Sequence, residues 1–172
     1  MSKRDLSRYL ESLSKKELED QMHELYKRLK EVREFYNFVF NPKEDKLIDE
    51  IKFKINKEYF PPAGRKPKKR RSTAQKAIRN FIKLGVDAEK IADVMLYNIE
   101  TAQRFCEAKP VNQTAFYKSI LNSFDEAAQF IQEYHLLDKF KTRLEQIVSE
   151  TENQHWENAP AFDSRLDSVF KH

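Results

Sequence analysis

Two glycines, Gly64 and Gly85, are all that 172 residues contain. β-Hairpins favour Asn-Gly or Asp-Gly turns because tight turns need positive φ, and neither pair occurs here. The expected fold class is therefore all-α. A charged fraction of 35%, against about 25% in an average domain, fits long helices with solvated outer faces. A chain of this length buries roughly 70% of its unfolded surface on folding, so it needs neither a disulfide nor a structural metal. The single cysteine, Cys106, rules out an intrachain bridge and fits a reducing compartment.

Periodicity divides the chain into about seven to eight helices. Ser2 suits an N-cap, with Leu6, Leu10 and Leu13 forming one face. Ser14-Lys15-Lys16-Glu17 reads as a capping box opening a long helix. Its residues Leu18, Met22, Leu25, Leu29, Val32, Tyr36 and Val39 alternate steps of four and three, a seam of about three heptads. The seam suits an intramolecular hairpin or, alternatively, a homodimer or other protein partner. Asn41-Pro42 is expected to cap and open the next helix, with Leu47, Ile48, Ile51, Ile55 and Tyr59 on one face. The aromatic cluster Phe35, Tyr36, Phe38 and Phe40 is expected to pack the hairpin turn, and Tyr59 and Phe60, beside the basic loop, are read as core in preference to a binding surface.

Helix is disfavoured at Pro61-Pro62. Ser72-Thr73-Ala74-Gln75 is a second capping-box pattern, before a face of Ala77, Ile78, Phe81 and Ile82. Gly85 suits a C′ position and Asp87 an N-cap. A helix running towards Lys109 carries Ile91, Val94, Met95, Ile99, Ala102, Phe105 and Cys106. Later helices carry Phe116 to Tyr134, Phe140 to Val148, and Phe162 to Phe170. The expected organisation is an N-terminal helical hairpin over 1–60, a basic hinge over 61–72 and a helical bundle over 73–172. HEAT-like stacking of helix pairs stays open for the C-terminal half, because no repeated signature establishes it.

Charge is segregated. Between Tyr59 and Val86 lie Arg65, Lys66, Lys68, Lys69, Arg70, Arg71, Lys76, Arg79 and Lys83, with no acid among them, although the whole chain carries only +4. Clustered cations neutralise phosphate backbones and release counterions, so these nine residues are the candidate polyanion-binding set. Their alternative is a solvated linker. No aromatic residue lies between Phe60 and Phe81, so the segment offers no platform for base stacking.

Catalytic and metal chemistry find little support. No Gly-x-Ser-x-Gly, His-Glu-x-x-His or phosphate-loop pattern occurs. Glu152…His155 fits and Asp20…His23 loosely fits the spacing of helical carboxylate–histidine metal pairs, but with about 0.6 such matches expected by chance, two are weak evidence. Cys106 lies on an apolar helix face, which favours packing over reactivity. No catalytic residue, metal ligand or cofactor is therefore assigned. Charges begin at Lys3, with no apolar h-region after them, and no run approaches the ~18 residues of a membrane span. A cytoplasmic location without membrane association is expected.

The stretches Ser2-Lys3-Arg4-Asp5-Leu6, Glu34 to Asp45, Lys57-Glu58-Tyr59-Phe60-Pro61 and Phe81 to Asp87 resemble a family of uncharacterised, Bacteroidetes-type bacterial proteins. The resemblance spans roughly residues 1–106. It implies a small cytosolic helical protein and supplies no activity, ligand or catalytic residue. The expectation is thus a non-enzymatic helical protein that binds RNA, DNA or another polyanion through the basic hinge. The alternative is a protein-interaction module or scaffold with the basic segment as a linker.

Overall fold

The computed structural model describes residues 2–170. Among these residues are nine α-helices and no strand. They are α1 (Lys3–Glu11), α2 (Lys15–Arg28), α3 (Lys30–Phe40), α4 (Glu44–Tyr59), α5 (Arg71–Leu84), α6 (Ala88–Ala108), α7 (Thr114–Glu133), α8 (Leu137–Asn153) and α9 (Ala159–Phe170). The chain forms two compact units, one up to Lys43 and the other from Glu44. This division does not coincide with the hinge expected at 61–72. Helix α4 belongs to the second unit, where it packs on α5 and α6.

In the first unit, local signals place the helix starts. Ser2 and Asp5 form one capping box and Ser14 and Glu17 another, each satisfying amides that the first turn leaves free. The long helix expected from Ser14 through Val39 breaks at Leu29, whose φ and ψ of −103° and 119° are extended. The break folds α3 back towards α2. Tyr36 donates to Met22 Sδ at 3.2 Å, and Tyr26 donates to Asn37 Oδ1 at 3.1 Å. Gln21 Nε2 donates to the Tyr9 hydroxyl at 2.6 Å, joining α1 to α2. Asn41 ends α3, and α4 begins at Glu44 instead of at Pro42. None of α1, α2 and α3 contains a buried residue.

The second unit is built around α6, which packs against α4, α5, α7 and α8. Its buried residues, among them Ile91, Ala92, Leu96, Ile99, Phe105 and Cys106, form a broad face, while Asp93, Tyr97 and Glu100 are half-buried and Arg104 and Glu107 exposed on the remaining side. A helix buried over so much of its circumference is a central one. Its neighbours each bury one stripe, for example Ile48, Ile51, Ile55 and Tyr59 of α4, or Phe140, Leu144, Ile147 and Val148 of α8. Phe162 of α9 packs on Phe124 and Trp156, with ring centroids 5.2 and 5.9 Å away. Two glutamine side chains join α6 to α8 and the turn after it. Gln103 Nε2 donates to the Ile147 carbonyl at 2.7 Å, and Gln154 Nε2 donates to the Gln103 carbonyl at 3.2 Å. Half-buried charges tie α4, α6 and α8 together, because Lys52 and Arg143 both pair with Asp93 and Arg143 also holds Glu100. Gly85 closes α5 in the left-handed region (φ +75°), and the Asp87 side chain caps α6.

Candidate functional site

The nine basic residues of the sequence-predicted site fall into two groups. Three are engaged inside the second unit. Arg70 Nε and Nη2 donate to Glu58 Oε2 and Oε1 at 3.0 and 2.8 Å, a two-pronged pair. Arg71 Nε donates to Ser123 Oγ at 2.7 Å, and its Nη2 lies 2.7 Å from Glu126, so it joins α5 to α7. The Lys69 ammonium lies 5.7 and 6.0 Å from the ring centres of Phe105 and Phe116, within the range of cation–π attraction. The other six, Arg65, Lys66, Lys68, Lys76, Arg79 and Lys83, are exposed.

The segment carrying them is anchored. Backbone amides of Lys68 and Lys69 both donate to the Glu58 carbonyl at 2.9 Å, filling an acceptor that the end of α4 leaves open. Arg65 N donates to the Pro62 carbonyl across a turn in which Gly64 has φ +84°, a conformation glycine takes at no steric cost. Helix α5 starts at Arg71, one residue before the expected cap. Ser72 makes no capping bond, and the Thr73 hydroxyl donates to Glu58 Oε1 at 3.2 Å. Glu58 is therefore the organising acid of this segment. Hydrogen bonds from Arg70, with a smaller one from Thr73, hold its carboxyl below the usual range against the opposing effect of burial.

Around α5 the outward cations are divided. Lys76 borders a depression between α4 and α5 with Glu50 and Lys54, and Arg79 borders another with Glu126 and Glu133. Acids thus sit beside two of the six, and the basic surface is less continuous than the sequence reading has it.

The strongest surface feature lies in the first unit, in residues the sequence assigns to packing. The seam residues Leu18, Met22, Leu25, Leu29 and Val39 are between 38% and 49% exposed, and Phe40 is 81% exposed. Leu6, Tyr9, Leu10, Tyr26 and Phe35 are exposed as well. Phe35 and Phe40, expected to pack the hairpin turn, are exposed instead, and so is Phe60, expected in the core. Tyr36 is half-buried between Phe35 and Phe40, edge-on to the first and stacked on the second. Met22, His23, Tyr26, Tyr36, Asn37 and Phe40 line an apolar groove of about 360 Å³ between α2 and α3. The available sequence signal was that each N-terminal helix has a single apolar stripe, leaving a short segment with no second layer to cover it.

Cys106 is buried, and burial pushes its thiol up to about 11, only partly opposed by the positive charge of Lys69. Burial likewise raises the neighbouring Tyr59 phenol, whose hydroxyl has no partner among the described residues. His155, of the sequence-spaced Glu152…His155 pair, lies in the turn after α8 with φ +52°. No helix among the described residues is long and apolar enough to cross a membrane.

The described residues form an all-helical protein with an exposed apolar N-terminal surface and an anchored basic segment. The chain belongs to a family of unknown function, DUF6155, whose model matches residues 1–170. The match extends the resemblance seen over 1–106 across nearly the full length. No curated protein and no solved structure matches the chain.

Proposed function

We propose that this protein is a non-enzymatic interaction module whose N-terminal helices dock a polypeptide partner. The observation that carries the reading is the uncovered face of α1, α2 and α3, on which large apolar side chains remain exposed and none is buried. Both N-terminal capping boxes are formed, so the face belongs to well-specified helices. A contiguous exposed apolar surface on helices marks an interaction site. In the second unit, α6 surrounded by its neighbours fits a bundle better than HEAT-like pair stacking, which would be linear.

The test is in-cell photo-crosslinking with benzoylphenylalanine at Met22 or Phe40, against Glu145 on the exposed side of α8. Polypeptide adducts are expected at the first two positions and not at the third. Equal yields at all three, or none at Met22 and Phe40, would sink the reading.

A second reading, binding of RNA, DNA or another polyanion, is favoured by one observation. Arg65, Lys66 and Lys68 project from a loop that is tied to α4 through its backbone, so ordering them on an anion costs little chain entropy. Phosphate contacts of this kind position without reading sequence.

A further inference from the structure

The partner of the N-terminal face can be named from its size and charge. This inference rests on the docking reading above and deepens it. We infer that the face is covered by the same face of a second copy of this chain, with α2 meeting α2 of its partner about a two-fold axis.

The first argument is size. Eleven large apolar side chains of this unit are exposed; with roughly 180 Å² of surface per residue they leave on the order of 900 Å² uncovered. A standard interface takes about 800 Å² per partner. A segment this short, with no buried side chain, cannot hold a fold by its own core, and chains below about 40 residues usually need oligomerisation or cross-links.

The second argument is charge. Residues 1–43 carry ten Lys and Arg against eight Asp and Glu. An anionic lipid surface selects a helix face rich in Lys and Arg, and a strongly charged partner selects the opposite sign. A nearly balanced surface suits a partner that is equally balanced, as a copy of itself is.

The third argument is register. Within α2 the stripe Leu18, Met22, Leu25 keeps the spacing of a helix-pairing seam. Its flanking positions are Glu19 and Tyr26 on one side and Gln21 and Arg28 on the other. When the two helices run antiparallel, each side faces its own kind. Glu19 then lies opposite Tyr26, and Gln21 opposite Arg28, so no like charges meet. Self-complementarity of this sort is what an isologous two-fold contact demands.

The test uses the full-length purified chain. Light scattering and sedimentation over about 1–100 µM, the range in which micromolar association is resolved, should give twice the chain mass of 20.6 kDa. The double substitution Leu18→Glu/Leu25→Glu should weaken association at least roughly 100-fold, since it places carboxylates in an apolar contact. That variant could lose its helices for other reasons. A second measurement therefore keeps the seam apolar: benzoylphenylalanine at Met22 in the purified protein should give a covalent dimer mapping to α2 of the second copy. A chain monomeric throughout this range, or a dimer whose Met22 adduct maps outside α1, α2 and α3, overturns the inference. If in-cell adducts at Met22 belong to a different polypeptide while the purified chain is monomeric, the second copy is excluded and the docking reading stands. If Met22 yields no polypeptide adduct in either setting, both fall.

Discussion

The division of the basic residues can be read out in a salt series. If the polyanion reading holds, the structure supplies six cations, Arg65, Lys66, Lys68, Lys76, Arg79 and Lys83, because Lys69, Arg70 and Arg71 are already engaged. Each phosphate neutralised on duplex DNA contributes about −0.9 to the slope of log K against log salt. Six contacts give a slope near −5, and nine would give about −8. Between about 50 and 200 mM salt, affinity should then fall on the order of 10³-fold for six contacts and 10⁵-fold for nine. Fluorescence anisotropy of labelled duplexes measures both quantities. Changing the six outward residues to Gln should abolish binding, whereas Arg70→Gln/Arg71→Gln should leave the slope unchanged and lower only thermal stability. A slope near −8 that the double variant reduces would refute the division. No binding at about 50 mM salt, where attraction is strongest, would remove the polyanion reading altogether.

Three further outcomes follow from the second unit. Arg143→Met should cost about 1–3 kcal/mol in urea unfolding, the range for charge-assisted hydrogen bonds after discounting for solvent screening, because the guanidinium bridges Glu100 and Asp93. Burial alone would raise the Asp93 carboxyl, but Lys52 and Arg143 outweigh it and hold the group below its ordinary 3.8. Its contribution is therefore present above that pH and lost as pH falls through the lowered value, so a cost that stayed constant from pH 7 to about 3 would contradict the assignment. Gly85→Ala should destabilise by about 1 kcal/mol through left-handed backbone strain alone, since nothing lies within 4 Å of the added methyl; a calorimetric Tm equal to or above that of the wild type would oppose this. Cys106, with its thiol raised to about 11 by burial, should resist thiol reagents at pH 8 until the chain unfolds, and rapid labelling of native protein would show the site to be open.

The sequence makes the helices legible where the cause is local. Ser2, Ser14, Gly85 and Asp87 cap as their types suggest, since each capping bond lies within about one turn. The core stripe of α4 and the buried face of α6 follow from periodicity. The division of the basic segment into engaged and outward residues rests on contacts that no local pattern contains. Glu58 lies twelve residues before Arg70, and Glu126 lies on α7, well beyond the α5 that carries Arg71. Thr73 likewise reaches Glu58, fifteen residues before it, and α5 starts at Arg71, so Ser72 lies inside the helix instead of capping it.

Leu29 illustrates a different limit. Arg28-Leu29-Lys30 contains no glycine, proline or capping residue, and the apolar period runs through it unbroken. The period states that one stripe must be covered and leaves open what covers it. A straight helix would expose all seven seam residues to whatever lay alongside. Breaking at Leu29 lets Tyr36 reach Met22 and Asn37 reach Tyr26, which half-buries Val32 and Tyr36 while Leu18, Met22, Leu25 and Val39 stay exposed. The fold-back therefore covers part of the stripe and leaves the α2 side open. Burying that remainder is worth about 25 cal/mol per Å² of apolar surface, a driving force for association that persists until a second surface removes it from water.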